Sequence, residues 1–148
     1  MSVTSGLMSS EKDYWETPQA LFDELDAEFG FTLDVASTDA NAKCPVHFTE
    51  ATDGLSADWG GQRVFCNPPY GRQVAAWVEK CHRESMKPGT LVVALLAART
   101  DTRWFHDHIY GKAEVRFLRG RVRFELGGVP QGSAPFPSMV VVWRCGDR

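Results

Sequence analysis

The chain has 148 residues, 43% of them hydrophobic and 24% charged, with a formal net charge of -3. That is the size and composition of one soluble globular domain whose core needs no disulfide or metal staple. No apolar run approaches the roughly 20 residues of a membrane span, and the opening MSVTSGLMSSEKD lacks the basic-then-apolar order of a signal peptide.

Residues 1–12 read as a disordered leader and 13–148 as a single domain. Thr17-Pro18 starts a helix, with Thr as N-cap and Pro in the first helical position. Leu21, Phe22, Leu25 and Phe29 follow at helical spacing, and Gly30 stops it. Phe31 to Val35 reads as a short strand, and 37–58 as polar and irregular with one turn of helix. Arg63 to Cys66 is a second strand, cut off by Pro68 and Pro69. Gln73 to Met86 has helical periodicity, and Pro88-Gly89 makes a turn. Thr90 to Leu96 is an unbroken apolar run, as in a central parallel strand covered on both faces. Asp101 to Ile109 is a helix capped by Thr100 or Asp101. Ala113–Leu118 and Arg121–Leu126 are strands around Arg119-Gly120, 127–137 is a loop, and Ser138–Arg144 is a last strand. Strand and helix alternate, so the fold class is α/β, with a mostly parallel sheet and an antiparallel edge.

Charge is unevenly placed. Residues 1–60 hold 12 acids and two bases, and residues 61–148 hold seven acids and 14 bases, densest in Arg116-Phe-Leu-Arg119-Gly-Arg121-Val-Arg123. Such a division suits a polyanion meeting one basic face, or two halves that pair with each other. The four cysteines form no CxxC pair and read as reduced thiols of a cytoplasmic protein; Cys44-x-x-His47 has no second half with zinc spacing, so no metal site is expected.

The stretch Val64-Phe-Cys-Asn-Pro-Pro-Tyr-Gly-Arg72 carries the chemistry. It leaves a strand at its carboxyl end, where α/β sheets bind ligands. The two prolines stiffen the loop and remove two backbone donors while keeping their carbonyls. Asn67 adds a side-chain acceptor and Tyr70 an aromatic face. Acceptors beside a stacking plate suit an aromatic amino group, whose lone pair is delocalised. Accepting bonds from its N–H groups lets the nitrogen become pyramidal and nucleophilic, and these bonds strengthen as positive charge develops. A base within duplex DNA must be flipped out to reach such a pocket.

Asn67-Pro-Pro-Tyr70 resembles the signature of amino-group methyltransferases that use S-adenosylmethionine. With Trp15-Glu-Thr-Pro18, Leu33-Asp-Val-Ala36, Asn41-Ala-Lys-Cys44, Ala98-Arg-Thr-Asp-Thr-Arg-Trp104, and Gly120-Arg121 with Phe124, it resembles the phage-type DNA adenine methyltransferase (Dam-like) family over almost the whole chain. The resemblance implies a trimmed Rossmann-like methyltransferase fold, S-adenosylmethionine as cofactor, DNA as partner, and action in the cytoplasm of a bacterium or phage-infected host. It implies that Asn67 and the Pro68 carbonyl bind the target amino group and that Tyr70 stacks on the base. Thr17, Pro18, Asp34, Ala36, Asp53 and Asn67 would face the cofactor, and Arg99, Arg103, Arg119 and Arg121 the phosphates.

Two departures from the family pattern stand out. The segment after Asp34 has no glycine, and about thirty residues separate Asp34 from Asn67 where a standard fold places two further strands. The first leaves room for a catalytically inactive nucleic-acid-binding module, and the Asn-Pro-Pro-Tyr chemistry leaves room for an RNA or protein amide methyltransferase. With no separate recognition region, relaxed or short-site specificity is expected, with a homodimer supplying extra contacts.

Overall fold

The computed structural model describes residues 15–145; the expected leader over 1–12 lies outside them. Strand β3 (Leu91–Ala97) is buried along its whole length, which places it inside a sheet covered on both faces. The sheet has five strands, in spatial order β1 (Leu33–Asp34), β2 (Arg63–Cys66), β3, β7 (Ser138–Arg144) and β4 (Glu114–Phe117). β1, β2 and β3 are parallel, and β7 is antiparallel to both β3 and β4. Four strands therefore share one direction.

The antiparallel strand is not the edge strand expected from the sequence; it lies one place in, between β3 and β4. The cause lies in residues 118–124. Arg121, Val122, Arg123 and Phe124 alternate as a strand would, but Val122 and Phe124 are buried in the core beneath the sheet, and Val122 pairs through its carbonyl with the Ala134 amide. The edge of β7 is thus left to β4 alone. Of the expected Arg121–Leu126 strand only Glu125–Leu126 (β5) forms, and it pairs with Val129–Pro130 (β6), which lies in the expected 127–137 loop, as a separate hairpin.

Side chains along the strands alternate between two cores. Val64, Cys66, Val92, Ala94, Leu96, Val141 and Trp143 meet helices α2 (Val74–Ser85) and α3 (Arg103–His108) through Trp77, Val78, Cys81 and Phe105. Phe65, Val93, Leu95, Val140 and Val142 meet helix α1 (Gln19–Phe29) through Phe22, Leu25 and Phe29. The result is a three-layer α/β/α sandwich.

Two helix starts differ from expectation. α1 begins at Gln19 with Pro18 as the cap residue, and Thr17 makes no capping bond because its hydroxyl is used elsewhere. α3 is capped by Thr102, whose hydroxyl accepts from the Phe105 amide at 3.2 Å, rather than by Thr100 or Asp101.

Between β1 and β2 the described chain adds no full strand. Residues 46–48 touch β1 by a single parallel bridge, with the Asp34 amide donating to Val46 and the Phe48 amide to Asp34. The next amide, Val35, donates to Phe65 of β2. The chain thus moves outward from β1 to residues 46–48 and returns on the other side as β2. Strand order reverses between β1 and β2, the place where an α/β sheet opens a crevice at its carboxyl edge.

Candidate active site

The register of β1 on β2 brings Val35-Ala36, leaving β1, beside Asn67, leaving β2. Asn67 is held by its amide nitrogen, which donates to the Trp15 carbonyl and, at 2.9 Å, to Thr17 Oγ1. A carbonyl can only accept, so the Trp15 contact fixes which end of the amide faces it. Asn67 Oδ1 therefore points away, and it is buried without a hydrogen-bond partner among the described residues. Such an acceptor is costly to leave unmade, by about 1–3 kcal/mol.

Pro68 is buried and Pro69 half-buried behind it. Tyr70 follows, its hydroxyl donating to the Leu95 carbonyl at 2.8 Å. Burial pushes this phenol well above its ordinary range, with the neighbouring Cys66 thiol adding to the effect. The Tyr70 ring meets Phe124 and Phe136 edge-on, at 6.2 and 5.4 Å between centroids. Gly71 then turns the chain with φ of 120°, a conformation that side-chain-bearing residues rarely adopt. Tyr70, Gly71, Val74, Ala97, Arg99, Trp104 and Phe136 line a cleft of about 270 Å³.

Thr17 is buried, and its hydroxyl serves Asn67. Pro18 is half-buried beside it. Asp34 is also buried, its two carboxylate oxygens accepting from the amides of Ala36 at 3.3 Å and Lys43 at 2.9 Å. Burial raises its carboxyl above the usual range, against the lowering effect of those amides. Asp34 thus anchors the 36–43 loop through both oxygens. Asp53 is exposed and bonds the Leu55 amide at 3.2 Å from a left-handed conformation, φ 55°. Its neighbour Gly54 is buried against the end of β1, where a Cβ would stand 2.2 Å from the Val35 carbonyl oxygen.

Of the four arginines expected at phosphates, Arg99 lines the cleft with its guanidinium 5.9 Å from the Phe136 ring centroid. Arg103 is exposed at the start of α3. Arg119 and Arg121 are exposed on the 118–124 segment, and Arg121 also donates to the Ala134 carbonyl at 3.1 Å. Arg116, in the same basic run, is instead paired to both oxygens of Glu28 at 2.7 Å and to Glu114.

The sequence reading gave no role to Trp15, Glu16 or Trp104; Trp104 is half-buried, packed against the core and lining the cleft. Trp15 packs edge-on against Phe124 and Phe136 and supplies the carbonyl that orients Asn67. Glu16 accepts from the Gly127 and Gly128 amides at 3.1 and 3.2 Å and from Asn41 Nδ2 at 3.3 Å. The signal for both Trp15 and Glu16 was their place in the Trp15-Glu-Thr-Pro18 stretch that carries part of the family resemblance.

Residues 4–146 match the family model described as DNA N-6-adenine-methyltransferase (Dam). The chain is 29% identical over 120 residues to the DNA N-6-adenine-methyltransferase of Haemophilus phage HP1, covering 80% of this chain and 69% of that one. It is 29% identical over 119 residues to the protein of the same name from Escherichia phage T1, covering 79% of this chain and 49% of the other. The match thus spans about half the length of the T1 protein.

Proposed function

Because this chain belongs to the DNA N-6-adenine-methyltransferase family, we propose that it is an adenine-specific DNA methyltransferase, transferring a methyl group from S-adenosylmethionine to the amino group of a flipped adenine. The observation that supports the reading most strongly is Asn67. Its amide nitrogen is held from behind, and its Oδ1 is a buried acceptor with no partner among the described residues. An exocyclic amino group, with two N–H donors, is the ligand that would satisfy it.

The geometry of the site supports the following roles. Asn67 Oδ1 accepts one N–H of the adenine amino group, and the Pro68 carbonyl accepts the other. Both bonds favour a pyramidal nitrogen with its lone pair free, and both strengthen as that nitrogen gains positive charge. Tyr70, fixed at its hydroxyl by Leu95, holds the base by stacking, worth roughly 1–3 kcal/mol. Arg99, Arg103, Arg119 and Arg121 contact phosphates and hold the duplex in register.

The cofactor supplies an electrophilic methyl group on a sulfonium centre. Its place is the crevice between β1 and β2, with Thr17, Pro18, Ala36, Asp53 and Asn67 facing it and Asp34 acting through the 36–43 loop it anchors. The residues present fit such a ligand. No glycine follows β1, and the bare backbone of Gly54 lets the 53–56 turn pack directly on the Val35 carbonyl, so that this turn forms one wall at the strand end. On this reading the sheet is a trimmed Rossmann-like methyltransferase core, lacking the two strands that would extend it beyond β1.

The test is product identity. Purified protein is incubated with S-adenosylmethionine tritiated on the methyl group and with unmethylated duplex DNA, and the DNA is digested to nucleosides. Label in N6-methyldeoxyadenosine supports the reading. Label in cytosine, in RNA or in protein, or no label together with no cofactor binding by calorimetry, overturns it.

A further inference from the structure

The three residues Trp15-Glu16-Thr17 join parts of the protein that are far apart in the chain. Trp15 and Thr17 hold the Asn67 amide from behind. Glu16, between them, exchanges both backbone bonds with Glu125 of β5, its amide donating at 3.1 Å and its carbonyl accepting at 2.9 Å. Its carboxylate takes the amides of Gly127 and Gly128, the turn of the β5–β6 hairpin. The same carboxylate accepts from Asn41, in the loop anchored by Asp34.

The tip of the hairpin is exposed. Both turn glycines have positive φ, 59° and 80°, the pattern of a tight two-residue hairpin turn. Nothing stands within 4 Å of where their Cβ atoms would be, and Val129 on the return strand is 60% exposed. Among the described residues, the Gly127 and Gly128 amides are held only by the Glu16 carboxylate. The exposed Arg121 and Arg123 precede the hairpin directly.

We propose that Glu16 is a positioning residue that couples the β5–β6 hairpin to Asn67, so that DNA seated on the hairpin tip sets the amide that receives the target base. The inference rests on the methyltransferase reading above and extends it. When DNA presses on the Gly127-Gly128 turn, the displacement passes through the Glu16 carboxylate to the Trp15–Thr17 segment, and thence to the two acceptors that orient Asn67. A seated duplex thus completes the acceptor site, and free adenine nucleosides, which cannot reach the hairpin, are poor substrates.

The experiment is a double-mutant cycle on single-turnover methyl transfer to unmethylated DNA, with cofactor affinity measured separately by calorimetry. Glu16→Gln can accept from only one turn amide. Gly128→Ala strains the turn at a positive φ and displaces it. Each single variant is expected to lose about tenfold to a hundredfold in rate with unchanged cofactor affinity, and the double variant is expected to be no slower than the poorer single. A purely structural role would lower cofactor affinity and thermal stability together with the rate. Multiplicative losses, or a wild-type rate for Glu16→Gln, overturn the coupling. Should Glu16→Gln fail to fold, Gly128→Ala on the exposed hairpin decides alone, since a wild-type rate there overturns the proposal and a loss at unchanged cofactor affinity supports it. An unaltered chain that labels no DNA overturns the methyltransferase reading, and the coupling with it.

Discussion

The hydroxyl of Thr17 accepts a hydrogen bond from Asn67 Nδ2 at 2.9 Å, across 50 residues of sequence. This bond explains why a Thr-Pro pair at the head of a helix does not cap it. The hydroxyl is committed to the loop after β2, and Pro18 takes the cap position.

Thr17→Val keeps the shape of a buried side chain and removes this acceptor. The Asn67 amide keeps its bond to Trp15 but loses its second restraint. The expected result is a several-fold to tenfold loss of methyl-transfer rate, with about 1 kcal/mol of stability lost. Single-turnover rates beside thermal melts check it; an unchanged rate would mean that Trp15 alone orients the amide.

Gly54 touches backbone, so Gly54→Ala cannot be relieved by a side-chain rotation. A Cβ 2.2 Å from the Val35 oxygen and 3.1 Å from the Trp77 ring forces the 53–56 turn away from β1. The cost expected is roughly 2 kcal/mol, or about 4–8 °C in Tm. Cofactor affinity should fall with it, because the displaced turn lies against the same strand end. Melting and calorimetry on the folded variant separate the two effects.

Glu84 is buried and accepts from the Trp59 amide at 2.7 Å, from Lys87 at 2.8 Å and from Lys80 at 3.3 Å. Burial alone would raise its carboxyl, but the Lys87, Trp59 and Lys80 bonds outweigh burial and hold it below the usual carboxylate range. A lowered folded-state pKa contributes stability above the unfolded value, lost as pH falls through the folded one. The stability gap between wild type and Glu84→Gln should therefore be full at neutral pH and shrink below about pH 4. Glu84→Ala leaves Lys80 buried without its carboxylate and is expected to cost about 3–5 kcal/mol. Urea titrations at several pH values test both; a gap that widens on acidification contradicts the assignment.

Arg119 and Arg121 are exposed on a segment with no strand partner in the main sheet. If they meet phosphates, Arg119→Gln and Arg121→Gln should each weaken DNA binding for all sequences alike. Each should also reduce the slope of log affinity against log salt by about one. Arg116→Gln should leave that slope unchanged, because Glu28 and Glu114 already occupy its guanidinium. Filter or fluorescence titrations at several salt concentrations distinguish the two groups.

The strands of the core were legible in the sequence because burial writes itself into composition. Arg63–Cys66 and Ser138–Arg144 fall at the bounds read from apolar runs and prolines. The Asn67-Pro-Pro-Tyr70 loop stood out as a candidate site for another reason, since two prolines and a flanking amide are a rare combination. Residues 121–124 misled because period-two alternation records which side chains are buried, not whether the backbone has a strand partner. Val122 and Phe124 bury their side chains in the core while their backbone carbonyls pair with a loop, and the alternation is the same. The role of Glu16 was illegible because its partners are backbone amides of Gly127 and Gly128, and glycine amides leave no mark in composition. Gly54 was missed for the converse reason: its use depends on what it touches, and Val35 lies nineteen residues earlier.

The central claim is that Asn67 Oδ1 receives the target amino group. The most direct measurement is the single-turnover methyl-transfer rate of Asn67→Ala on DNA, beside its affinity for S-adenosylmethionine by calorimetry. The account predicts a rate lower by about 10²–10³ with cofactor binding largely retained. Transfer to adenine at the wild-type rate, by a variant with no side-chain acceptor at position 67, would contradict it.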